Sequence, residues 1–174
     1  MKNQYVGDIG DYGKYSLLRA FINAGVKIGI NWYLTENDDS NDGKFTDYLN
    51  KKDEYRRYDQ ELFDVIKRIA PKKNKSVMDI QNSGVLLGTI FYSDMLNPVG
   101  TPSDRRNTRE RWFEESILAL EDADLIFMDP DNGLLEDNNT SKLGDGQLAV
   151  KSSNDPNCTH VISADLFCRS IGLW

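Results

Sequence analysis

The sequence predicts a three-layer α/β domain with a mostly parallel sheet and an irregular C-terminal segment. Two observations carry this reading. Helical stretches with one apolar stripe alternate with short β-rich runs from the N-terminus to Met128, the order expected when helices cover a parallel sheet. The run Asp124-Leu125-Ile126-Phe127-Met128 is apolar without interruption after its first residue, which suits a strand buried on both faces.

The elements follow in order. Leu17, Leu18, Phe21 and Ile22 keep helical spacing after Asp11-Tyr12-Gly13-Lys14, and Gly25 stands where a left-handed C-cap would end that helix. Residues 26–34 read as a strand with Ile28, Ile30, Trp32 and Leu34 on one face, emptying into a polar loop over 35–44. A second helix is expected over 59–70, capped by Asp59, striped by Leu62, Phe63, Ile66 and Ile69, and stopped by Pro71. Lys72-Lys73-Asn74-Lys75 reads as a solvated turn, and a strand is expected within 84–92. Ser103 can cap a third helix reaching about Ala123, with Trp112, Phe113, Ile117 and Leu120 inward, before the strand at 124–128. Residues 1–135 thus form the α/β domain, and 136–174 form a weakly patterned tail in which only 161–167 looks like an element.

Composition narrows the function classes. At 174 residues the chain has the length of one ordinary domain. Two cysteines and one histidine are too few for a disulfide framework or a Cys- or His-based metal site. No apolar run approaches a membrane span or a signal peptide, so a cytoplasmic protein without membrane contact is expected. A net charge of −7 argues against passive coating of nucleic acid, leaving room for a local basic patch.

Four segments carry candidate chemistry. In Phe127-Met128-Asp129-Pro130-Asp131-Asn132-Gly133 an apolar strand runs into an acidic turn, and strand carboxyl ends face the ligand crevice of open α/β sheets. Asp129 and Asp131 there are candidates for binding a divalent cation through oxygen or accepting from a substrate amine, with Asn132 and Gly133 beside the ligand; the alternative is a turn that satisfies its own backbone. Gly7-Asp8-Ile9-Gly10-Asp11-Tyr12-Gly13-Lys14 fails the Walker pattern, but Asp8, Asp11 and Lys14 can face a ligand at a helix start; the alternative is a turn capped by Asp11. Asp38-Asp39-Ser40-Asn41-Asp42-Gly43-Lys44 lacks the closing Glu of a calcium loop. A parallel sheet would bring Asp42 and Lys44 to the edge that carries Asp129; otherwise the loop is solvated. Arg105 and Arg109 share a helix face and can clamp a phosphate, or simply pair with Glu114 and Glu115.

These motifs, with Asn31-Trp32-Tyr33-Leu34 and the continuation to Leu134, resemble those of an uncharacterised bacterial and phage protein family over about residues 3–135. The resemblance implies no named chemistry. Phe45 stands where that family often has His, and nothing after Leu135 matches its further strand, which implies a divergent or truncated end and an inactive or incomplete site. More distantly, Asp124 to Pro130 is similar to the strand before the Asp-Pro-Pro-Tyr motif of amino-methyltransferases, including those acting on ribosomal RNA adenine. That likeness implies a Rossmann-like, methyltransferase-like scaffold in which Asp129 holds a target amine. Asp131-Asn132 replaces the Pro-Tyr pair, and Thr35-Glu36-Asn37 replaces the glycine-rich cofactor loop.

Three function classes follow. The first is a nucleic-acid-directed enzyme using S-adenosylmethionine, with Asp129 orienting a base amine and the Asp42 loop near the cofactor. The second is a nuclease or phosphodiesterase in which Asp129, Asp131 and Asp42 hold Mg²⁺ while Lys44 or Arg109 neutralises the phosphate. The third is a phage or accessory binding protein that presents its acidic surface to a basic partner.

Overall fold

The computed structural model describes residues 1–39, 43–130 and 160–163. The chain divides into two compact units. Among the described residues, a sheet unit takes Met1, Lys27–Thr35 and those from Ile90 onward, and a helical unit takes those within Lys2–Val26 and Glu36–Thr89.

In the sheet unit, β1 (Ile28–Asn31), β2 (Ile90–Tyr92), β3 (Leu125–Met128) and β4 (His160–Ser163) form one sheet in the order β2-β1-β3-β4. Every pairing is parallel, and Ile30 lies between Phe91 and Phe127 in register. The fold class is therefore α/β, as the alternating pattern predicts. β1 and β3 are buried at every position, which explains why their sequences carry no polar alternation. The expected strand 26–34 shortens to β1, because Tyr33 takes a left-handed φ of 46° and turns the chain. Of the expected strand within 84–92, only β2 forms; Gly84 and Gly88 both have positive φ, and Leu87 is exposed rather than inward. The run expected at 161–167 overlaps β4, and the rest of residues 136–174 lies outside the described residues.

Helix α5 (Pro102–Ala119) packs on one face of this sheet. Trp112, Leu120 and Ala123 meet Tyr92, Ile126 and Met128 in a core that also takes in Tyr33 and Leu96. Gly29 makes this approach possible, since a Cβ there would stand 2.9 Å from that of Ala123. Ile117, expected inward, is 38% exposed, and Ser116 is buried in its place, its hydroxyl donating to the Phe113 carbonyl.

The α5 cap is Thr101 rather than Ser103, because Pro102 suits the first helical position and Thr101 and Asp104 close a capping box. The Thr101 N–H donates to Asp104 Oδ2 at 2.9 Å, and Asp104 N–H returns a bond to Thr101 Oγ1. The Thr101 hydroxyl, then its backbone N–H, holds the Asp104 carboxyl below the usual carboxylate range. A depressed folded value stabilises above the unfolded value, about 4, and that contribution is lost as pH falls through the folded value. The first turn of α5 should therefore fray on acidification below about pH 4. Hydrogen exchange at the amides of 103–105 would record it, and Asp104→Asn should remove the pH dependence.

The helical unit holds α1 (Ile9–Asn23), a 3-10 turn at Asp47–Asn50, α2 (Lys52–Tyr55), α3 (Gln60–Ile69) and α4 (Val77–Asn82). α1 starts earlier than its apolar stripe suggests. Asp8, not Asp11, is the N-cap, its Oδ1 accepting from Gly10 N at 2.7 Å. α1 stops at Asn23, with Gly25 left-handed beyond it as expected. α3 matches the sequence reading, with Asp59 accepting from Leu62 N and Leu62, Phe63, Ile66 and Ile69 buried. α1 and α3 meet through an edge-on Tyr12–Phe63 contact and through Arg19, which bonds Asp59 Oδ2 at 2.7 Å. Gly7 lets the chain come close to the end of α3, where a Cβ would stand 2.8 Å from that of Ala70.

Candidate functional site at the carboxyl edge of the sheet

The chain steps from β1 to β2 on one side, then crosses β1 to place β3 on the other. The strand order therefore reverses between β1 and β3, and their carboxyl ends carry Asn31 and Asp129. Crevices at such reversals are where open α/β sheets bind ligands. The two residues are locked together, Asp129 N–H donating to the Asn31 carbonyl at 3.2 Å. Both are buried, at 0% and 4% exposure, in a setting where a polar side chain costs stability unless it is bonded.

Asn31 has two roles. Its Oδ1 accepts from Tyr33 N at 2.9 Å, a side-chain turn that ends β1 and bends the loop. Its Nδ2 is buried with no partner among the described residues. The left-handed Tyr33 is held by an edge-on contact with Trp112 at 4.8 Å between ring centres. A bulky residue in that conformation stores strain of about 1–3 kcal/mol, and such strain collects at functional sites. Burial pushes the Tyr33 phenol up, and it pushes Tyr92 up to about 12, so both rings stay neutral walls. The Met1 nitrogen also reaches this edge, donating to the carbonyls of Tyr33 and Asp129 at 3.1 and 2.9 Å.

The other expected site residues separate into three groups. Asp131, Asn132, Gly133 and Asp42 lie outside the described residues. Arg105 and Arg109 stand on α5, where Arg105 donates to the Gly100 carbonyl at 3.2 Å. Among the expected glutamates, Glu115 comes within 4.0 Å of Arg111. Asp8, Asp11, Lys14 and Lys44 belong to the helical unit. Residues 10–14, read as a ligand-facing loop, are instead the first turns of α1.

The carboxylates of that group have local work. Asp8 Oδ2 accepts from Phe45 N at 3.3 Å. Asp11 accepts from Gly7 N at 3.1 Å and stands 3.6 Å from Lys14 Nζ. Sequence reasoning missed Asn31, whose signal was a lone polar residue closing an apolar strand. It also missed Lys75: burial pulls its ammonium below the ordinary value, against Asp11 and Asp8, while Lys44 adds like charge.

Comparison with family models, with curated proteins and with solved structures finds no match. Among the described residues no helix is long and apolar enough to cross a membrane.

Proposed function

We propose that the chain is a nucleic-acid-directed enzyme on a three-layer, Rossmann-like and methyltransferase-like scaffold, with its reaction centre at the carboxyl edge of β1 and β3. The observation that carries the reading is the buried Asn31–Asp129 pair where the strand order reverses. An Asp-Pro pair at the end of the strand beside β1 suits a carboxylate that accepts from the exocyclic amine of a base. The unpartnered Asn31 Nδ2 offers a donor beside it. A base edge presenting both a donor and an acceptor fits that pair. When bound, S-adenosylmethionine would supply an electrophilic methyl group. Asp129 would orient the amine and Asn31 would hold an acceptor, beside the buried Tyr33, Tyr92 and Met128.

Calorimetry in metal-free buffer should register S-adenosylmethionine binding. Labelled methyl transfer to nucleic acid should fall by at least about tenfold in Asp129→Asn, which keeps the side-chain volume. Binding of Mg²⁺ alone, weakened by Asp129→Asn, would replace this reading with the hydrolase. Silence toward both ligands would favour a binding protein.

A further inference from the structure

We infer that the helical unit carries a binding pocket for a phosphate-bearing ligand the size of a mononucleotide. Its three lysines, Lys44, Lys73 and Lys75, come together with four side-chain amides and Ser76 around a cavity of about 460 Å³. Small-molecule sites run from about 300 to 1,000 Å³, so the volume suits a ligand of that size. Every wall residue is polar or cationic. No carboxylate lines the pocket among the described residues, although acids outnumber bases 28 to 21 in the chain. Lysines bind phosphate as point charges, and amides can meet the edge of a base.

The walls are fixed before any ligand arrives. Hydrogen bonds tie Asn3 and Gln4 to the segments that carry Asn37 and Ser76. Val77 N donates to Asn3 Oδ1 at 3.0 Å, and Gln4 N to Asn37 Oδ1 at 3.1 Å. Asp38 N donates to Gln4 Oε1 at 2.9 Å. Ser76 N donates to Asp79 Oδ2 at 2.9 Å, which sets the turn that carries Lys73 and Lys75. The acids closest to Lys75 are engaged elsewhere: Asp8 caps α1, and Asp11 serves Gly7 and Lys14. Partial burial of Lys75 is a cost that a bound anion would offset. The inference goes beyond the proposed reaction centre, since all these residues belong to the helical unit.

Two sources present this chemistry, a free nucleotide and a nucleotide unit of a single strand. The test titrates the full chain with the four nucleoside monophosphates, the four matching nucleosides and a mixed-sequence single-stranded octanucleotide. At least one monophosphate should bind, with its nucleoside at least tenfold weaker. The pair Lys73→Gln and Lys75→Gln should weaken it at least tenfold, as should Lys73→Glu alone, whose exposed position keeps the fold. Lys27→Gln, a lysine outside this pocket, should leave the affinity unchanged, and the pocket-lysine variants should leave S-adenosylmethionine binding unchanged, so failure here is distinguishable from failure of the reaction centre. Tighter binding of the octanucleotide assigns the strand, and tighter binding of the monophosphate assigns the free nucleotide. The inference is overturned if no phosphate-bearing probe binds, if nucleosides bind equally well, or if the lysine variants bind as the parent does.

Discussion

Phe127→Ala should lower the unfolding free energy by about 3–5 kcal/mol, the usual cost of emptying an aromatic core position. Phe127 is 1% exposed and stands opposite Ile30 of the fully buried β1, so little can collapse into the space. A typical domain has only about 5–15 kcal/mol to lose, so the midpoint of urea denaturation should fall sharply with an unchanged slope. A loss under about 1 kcal/mol would mean that β3 is not the packed centre described above.

Asp59→Ala should cost about 2–4 kcal/mol, because one carboxylate does two jobs in the helical unit. It caps α3 through Leu62 N, and it pairs with Arg19 at 2.7 Å where both side chains are only 17% exposed. Removing it leaves a guanidinium whose remaining bonds go to Glu61 and the Val85 carbonyl. Asp59→Asn keeps an oxygen for the cap, so in denaturation it should lose less than the alanine variant. Equal losses would place the effect in the ion pair alone.

What the sequence revealed followed the strength of its local signals. α3 was legible because cap, stripe and terminating Pro71 agree. β3 was legible because a strand covered on both faces reads as an unbroken apolar run. α4 was not, since a six-residue helix has too few turns to show a stripe. The Val85-Leu86-Leu87 run read as strand, but apolar residues in a short turn look the same without the positive φ of Gly84 and Gly88. At the site, Asp129 stood out because acidic and turn-forming residues follow it. Asn31 did not, because its value lies in parallel pairing with a strand almost a hundred residues away. The lysine pocket was hidden for the same reason: Lys73 and Lys75 read as a solvated turn until Asn3, Gln4, Asn37 and Lys44 come beside them.

The central claim, a functional centre at Asn31 and Asp129, is tested most directly by NMR on the ¹⁵N-labelled full chain. S-adenosylmethionine would be titrated in metal-free buffer while the Asn31 side-chain NH₂ and the Asp129 backbone amide are followed. Both should move together and saturate with the affinity that calorimetry gives. Signals that stay in place at saturating ligand, or a titration that moves only residues of the helical unit, would contradict the claim.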